Sequence, residues 1–308
     1  MMRGRDRFAI ACRRRSDNEM VTSCEPVLGA LKKLAWLKKP FLRGTFALAD
    51  AMALGIKSLT FSAEVATADE EAAKQTQGAD PSPAKNNEDT GQADARKQQL
   101  VNSMAISGSV VLALVLAVVL FVFLPMRTAW LLKHWTDNRL VLGLAEGVLK
   151  LALLLGYVSA ISMWSEIRRV FEYHGAEHKT INAYEAGDPL DVEHVQKHTT
   201  VHVRCGTSFL LVVIVTSIIV FMFIRWDVVW QRFVYKMLLL PIVAGIAYEI
   251  IQFAGGHKSS RFMRAALAPG LLMQKITTKE PSDDQVEVAI KSLQLVLESE
   301  GEQVLPST

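Results

Sequence analysis

The sequence predicts a mainly α-helical, polytopic membrane protein with about four transmembrane helices, a small N-terminal β/helical element and a C-terminal amphipathic helix. Three observations carry that expectation. Half of the 308 residues are apolar, and the mean hydropathy is positive. Long charge-free runs alternate with very polar ones, as spans joined by solvated segments require. Met104–Met126 runs for 23 residues without a charge, long enough as a helix to cross about 30 Å of hydrocarbon. Length alone would allow two soluble domains, but hydropathy overrides it. A net charge of +3 with no basic stripe interleaved with aromatics excludes nucleic acid as a partner. Three scattered cysteines, Cys12, Cys24 and Cys205, are too few for a disulfide framework and read as reduced thiols.

The first element, residues 1–63, begins with two strands, Phe8–Cys12 and Val21–Cys24, around a turn at Ser16–Glu19. Helical periodicity follows from Val27 to Ala63. Its apolar part, Phe41–Phe61, carries Arg43, Asp50 and Lys57, which predicts an interfacial or re-entrant helix rather than a full span. Residues 64–100, rich in Ala, Asp, Glu, Gln, Pro and Asn without an apolar period, read as a disordered linker. The membrane core, 101–278, holds spans expected at Met104–Met126, Val148–Trp164, Phe209–Ile224 and Val234–Phe253, with Ala254–Thr278 peripheral to them. In the tail, 279–308, Ser282 and Gln285 have capping-box spacing, and Val286, Ile290, Leu293 and Leu297 form one apolar stripe.

Lys and Arg are denser between the second and third spans and after the fourth than in the two opposite loops. The N-terminus is basic and lacks the apolar core of a signal peptide. Together these place both termini, and the loop 167–206, in the cytoplasm.

That loop holds most of the chemistry. His174, Glu177 and His178 form an H-x-x-E-H pattern. On a helix the i, i+4 imidazoles share a face and converge on one metal, while Glu177 is placed to take a proton from an attacking water. Five of the seven histidines lie between His174 and His202, a density that raises a weak five-residue pattern to a candidate site. His198 or His202 is the expected third ligand, with Asp191 capping a short helix that carries His194 and His198. Glu249, a carboxylate inside a span, marks a functional position or an interfacial one.

The run Arg169-Val-Phe-Glu-Tyr-His-Gly-Ala-Glu-His-Lys-Thr-Ile-Asn-Ala-Tyr-Glu185 resembles the DUF1385 family of bacterial YqhQ-like membrane proteins. So do Lys197-His198, His202 with Arg204-Cys-Gly-Thr-Ser-Phe209, Ala244-Gly-Ile-Ala-Tyr-Glu249, Pro269–Gln274, Thr277–Pro281 and Gln285–Ile290. Only the linker lies outside the resemblance. It implies metal-dependent enzymes of a bacterial inner membrane without an established reaction. The matching positions are His174, Glu177, His178, His198, His202, Arg204 and Cys205; His194 has no match. Two departures stand out. Relatives carry a Gly-rich segment ahead of a Met-Met-Arg-Gly like Met1–Gly4, so part of the N-terminal element is expected to be missing. Val203 also replaces a common proline.

The expectation is a divalent metal, zinc foremost, on His174, His178, His198 and His202, with Glu177 and Arg204 catalytic and Glu185, Cys205 and Glu249 as outer partners of the ligands. Glu177 is the base and Arg204 stabilises an oxyanion or binds an anionic headgroup. The expected substrate of such a hydrolase is membrane-proximal or lipid-linked, and the bilayer is the expected partner. Two other classes compete: a transporter using Glu249 and the histidines, and a scaffold with a structural metal.

Overall fold

The computed structural model describes residues 1–27, 42–77, 108–109, 111–202, 205–223, 229–256 and 261–301. The chain divides into two compact units: Met1–Ala72 with Leu155–Thr308, and Ala73–Leu154.

In the first unit, β1 (Met2–Arg3), β2 (Arg7–Arg13) and β3 (Met20–Pro26) form an antiparallel sheet in that order. Asn18, at φ 64, supplies the left-handed residue of the β2–β3 turn, a conformation its short polar side chain tolerates. Alternation along β2 buries both faces. Ala9 packs with Met2 against the C-terminal helix, whereas Phe8 and Ile10 pack on Leu54 of α1 (Leu42–Gln77).

Helix α1 corrects two expectations. It continues through Glu64–Gln77, where a disordered linker was expected, because Glu, Ala, Lys and Gln are good helix formers. Asp69 also accepts the backbone N–H groups of Arg15 and Ser16 at 2.9 and 3.2 Å, tying that stretch to the sheet. The rest of the expected linker lies outside the described residues. Arg43–Ala73, where an interfacial or re-entrant helix was expected, is moreover long and apolar enough by length and composition to cross a membrane.

In the second unit, α2 (the π turn Val119–Phe123) and α3 (Leu124–Leu132) are parts of one rod, Val111–Leu132. A span ending at Met126, just past Pro125, was expected, but the π turn precedes the proline and accommodates its missing N–H, so the helix runs on. Helix α4 (Arg139–Ile161) contains the candidate span Leu140–Ile161.

Helix α5 (Ser165–Ala186) ends on Gly187 at φ 80, a left-handed C-cap, and short α6 (Val192–Gln196) is capped by Asp191, which accepts from the His194 N–H at 2.9 Å. Helix α7 (Gly206–Met222), where a span was expected at Phe209–Ile224, is apolar but only 17 residues, roughly 25 Å long against about 30 Å of hydrocarbon. Helix α8 (Val229–Gly256) carries the fourth candidate span, Phe233–Phe253. Four helices among the described residues are therefore long and apolar enough to cross a membrane.

Helix α9 (Arg261–Thr277) is not peripheral. Gly270 lets it approach α7 so closely that a Cβ there would lie 2.9 Å from Ser208 Cβ, and Gln274 is fully buried. Helix α10 (Asp283–Glu300) begins where Gln285 Oε1 accepts the Ser282 N–H at 2.9 Å. It buries Val286, Ile290, Leu293 and Leu297 against Ala176, Ala183 and the sheet.

One close approach fixes the strand of chain between α9 and α10. Lys279 N–H donates to the Phe171 carbonyl at 2.9 Å, and a Cβ on Gly175 would lie 2.0 Å from the Lys279 carbonyl oxygen. Gly175 therefore weakens helix propensity for the sake of packing. Gly175→Ala is expected to cost about 3 kcal/mol because backbone must move, while Gly55→Ala, with nothing within 4 Å, is expected to be neutral or stabilising. Thermal unfolding of the two variants in detergent checks the contrast.

Candidate metal centre

Helix α5 presents His174 and His178 one turn apart, their rings edge to face with centroids 4.4 Å apart. His174 Nδ1 donates to the Thr277 carbonyl at 2.9 Å, and His178 Nδ1 to the Thr200 carbonyl at 2.6 Å. A carbonyl can only accept, so each neutral ring carries its proton on Nδ1 and turns an Nε2 lone pair outward, the arrangement of metal-binding imidazoles. Cys205, the N-cap of α7, completes the group, with Sγ 3.3 Å from His174 Nε2. One donor atom from each of His174, His178 and Cys205 lies within 4.8 Å of the others.

The electrostatics follow from that contact. Burial opposes ionisation of the Cys205 thiol, but hydrogen bonds to His174 and His178 and their charges outweigh it, bringing it down to about 5. For His174, burial pushes against the imidazolium, yet Cys205, the Thr277 carbonyl and Glu177 together raise its affinity for a proton.

The same helix fastens the loop that carries Thr200. Lys179 Nζ, buried, donates to the Gln196 carbonyl at 2.9 Å and pairs with Glu280 at 2.7 Å. Asn182 Nδ2 donates to the carbonyls of Thr199 and Val201 at 2.8 and 3.1 Å. From the other side Gln274 grips His202, accepting its N–H and donating to its carbonyl at 2.8 Å each, and also donates to Ser208 Oγ at 2.6 Å. Nothing in the sequence patterning singled out Gln274 or Lys179. The signal available was a lone Gln near the end of α9 and a single Lys among the polar residues of α5.

Of the expected ligands, His174 and His178 come together and His198 does not. His198 Nε2 bonds Asp188 at 2.8 Å, beyond the end of α6. His202 stands 5.9 Å from His178 ring to ring and faces Glu185 at 3.4 Å, outside the three-donor group. The third donor is instead Cys205, expected only as an outer partner. Glu185 supports His202, not a ligand. Arg204 lies outside the described residues. Glu249 is not a member of the three-donor group and ion-pairs with Arg43 of α1 through both carboxylate oxygens, at 2.7 and 2.5 Å. Gly44 allows this helix contact, since a Cβ there would lie 2.5 Å from Tyr248 Cβ.

Glu177 lies beside His174 on the wall of a cavity of about 620 Å³ between β2, α1, α5 and α10. Arg13, Arg14, Arg15 and Arg169 line the same cavity.

Fold and cluster together define a mainly helical membrane protein with a small N-terminal sheet and a buried His-His-Cys group. Residues 39–299 match the family described as "Protein of unknown function (DUF1385)", and the chain belongs to that family. It is 34% identical to "Uncharacterized protein YqhQ" of Bacillus subtilis (strain 168), over 98% of this chain and 90% of that protein. No solved structure matches.

The thiol shift is measurable. In metal-stripped protein lacking Cys12 and Cys24, thiolate absorbance near 240 nm is expected to appear as pH rises through about 5. His174→Ala should move the midpoint up toward the ordinary thiol value of about 8.5.

Proposed function

We propose that the protein is a metal-dependent hydrolase of a bacterial inner membrane, with its site at the cytoplasmic face, acting on a membrane-proximal or lipid-linked substrate. The observation that carries the reading is the convergence of His174, His178 and Cys205 with both Nδ1 atoms already committed to carbonyls. The donor set fits zinc. Zn–N and Zn–S bonds of about 2.0–2.3 Å put tetrahedral ligand atoms roughly 3.3–3.8 Å apart, and Cys205 Sγ stands 3.3 Å from His174 Nε2. Among the described residues three protein donors converge, and three donors with an open position are the pattern of a catalytic site.

Bound there, a divalent ion supplies Lewis-acid polarisation of the scissile group and a lower pKa for the attacking water. The chain supplies the rest. Glu177, half-buried on the cavity wall, takes the water proton on its carboxylate and returns it to the leaving group. Thr277 and Thr200 carbonyls keep the imidazoles oriented. The cytoplasmic placement is supported by the Lys and Arg excess of the loop 167–206. Glu249, the basis of a transport reading, is accounted for by its pair with Arg43.

A second reading is favoured by the same Sγ–Nε2 contact: Cys205 as a nucleophile activated by His174. Elemental analysis of the full chain in detergent decides between them. About one zinc-class ion per chain is expected, lost in His174→Ala/His178→Ala and retained in His198→Ala. Glu177→Gln is expected to keep the ion while slowing hydrolysis of bis-p-nitrophenyl phosphate by about 10²-fold or more. A folded, metal-free protein whose esterase activity is abolished by alkylating Cys205 would overturn the metal reading in favour of the nucleophile.

A further inference from the structure

We propose that the cavity beside the cluster binds an anionic amphiphile, an alkyl chain bearing a phosphate, with the phosphate held by Arg15 and Arg169. This assignment rests on the hydrolase reading above and gives that site its substrate class.

Four arginines, Arg13, Arg14, Arg15 and Arg169, line the cavity, and two of them are neutralised within the protein. Arg13 pairs with Glu287 and Arg14 with Asp17 at 2.6 Å. The guanidinium groups of Arg15 and Arg169 have no carboxylate partner among the described residues; Arg169 sits 6.0 Å from the Tyr173 ring. A second cavity of about 380 Å³ shares these four arginines and Tyr173 and adds Asn18, Ser282 and Gln285, hydrogen-bonding groups suited to phosphate oxygens, beside two carboxylates, Glu172 and Asp284, that already pair with Arg168 and Arg13. The larger cavity also carries the apolar side chains Ile10, Leu59, Val65 and Val170, together with the carboxylates Asp69, Glu70 and Glu177, of which Asp69 is engaged by the Arg15 and Ser16 N–H groups. Cationic and apolar walls on one cavity match a ligand with an anionic head and a hydrocarbon body.

Position along the chain supports the same class. The candidate span of α4 ends at Ile161, Met163 and Trp164 are 84% and 66% exposed, and α5 starts at Ser165. At 1.5 Å per residue, Arg169 lies roughly 6 Å and His174 roughly 14 Å along α5. Along α5, Arg169 therefore precedes the His174–Glu177 wall. Cys205 likewise caps the apolar helix α7.

The test is calorimetric titration of the full chain in maltoside micelles, against micelle blanks, with hexyl phosphate, inorganic phosphate and hexyl glucoside. Hexyl phosphate is expected to bind at least about tenfold more tightly than either of the others, since only it uses both walls. Arg15→Gln and Arg169→Gln, both exposed, should each weaken hexyl phosphate about tenfold, the worth of one charge-assisted hydrogen bond, with thermal unfolding unchanged. Inorganic phosphate binding as tightly as hexyl phosphate would overturn the proposal, as would hexyl glucoside doing so or indifference to both arginine variants. Arginine-dependent binding in a protein without metal or turnover would leave the ligand class standing and sink the hydrolase reading. A loaded, active enzyme with no preference for hexyl phosphate would sink the ligand class alone.

Discussion

The polar face of α5 is the constraint on which the remainder depends. A helix this rich in His, Lys, Asn and Glu cannot bury that face unless each group finds a partner. The partners are main-chain carbonyls from segments far apart in sequence: Thr277 for His174, Thr200 for His178, Gln196 for Lys179, and Thr199 and Val201 for Asn182. Irregular loops thereby have their backbone satisfied, and two imidazoles have their tautomers set. Gly175 matters for the same reason. Without a Cβ it lets the Lys279 carbonyl lie against the helix, which brings Thr277 within reach of His174.

Once those bonds are made, the position of Cys205 follows. Gln274 holds the backbone of His202 from α9 and reaches Ser208 in the first turn of α7, so the start of α7 is anchored from two sides. Cys205, at its N-cap, is delivered to His174 by that anchoring. The thiol shift is a consequence of geometry: buried sulfur disfavours charge, but two imidazoles directed at it win.

Much of the fold was legible because it is written in local patterns. The strands Phe8–Cys12 and Val21–Cys24, the Ser282–Gln285 cap, the stripe of Val286, Ile290, Leu293 and Leu297, and the span Val234–Phe253 all follow from period or hydropathy, while the span expected at Val148–Trp164 begins eight residues earlier, at Leu140. Where packing decides, the reading failed. Charges at Arg43, Asp50 and Lys57 argued against a full span, yet Arg43 has Glu249, Asp50 has Arg3 and Lys57 has Glu25, so each is neutralised by a residue distant in sequence. The site shows the same division. The i, i+4 relation of His174 and His178 needs only a helix. The choice of Cys205 over His198 and His202 needs the loop conformation, which is set by side chains of α5 and α9. His198 and His202 were attractive by residue type but are engaged by Asp188 and Glu185.

In the proposed function two imidazoles and one thiolate share a metal ion. Zinc K-edge X-ray absorption on the purified, zinc-loaded full chain tests it most directly. The expected spectrum has a shell of about one sulfur near 2.3 Å with nitrogen or oxygen near 2.0 Å, the sulfur disappearing in Cys205→Ser. A shell of nitrogen and oxygen alone, unchanged by that substitution, would contradict it.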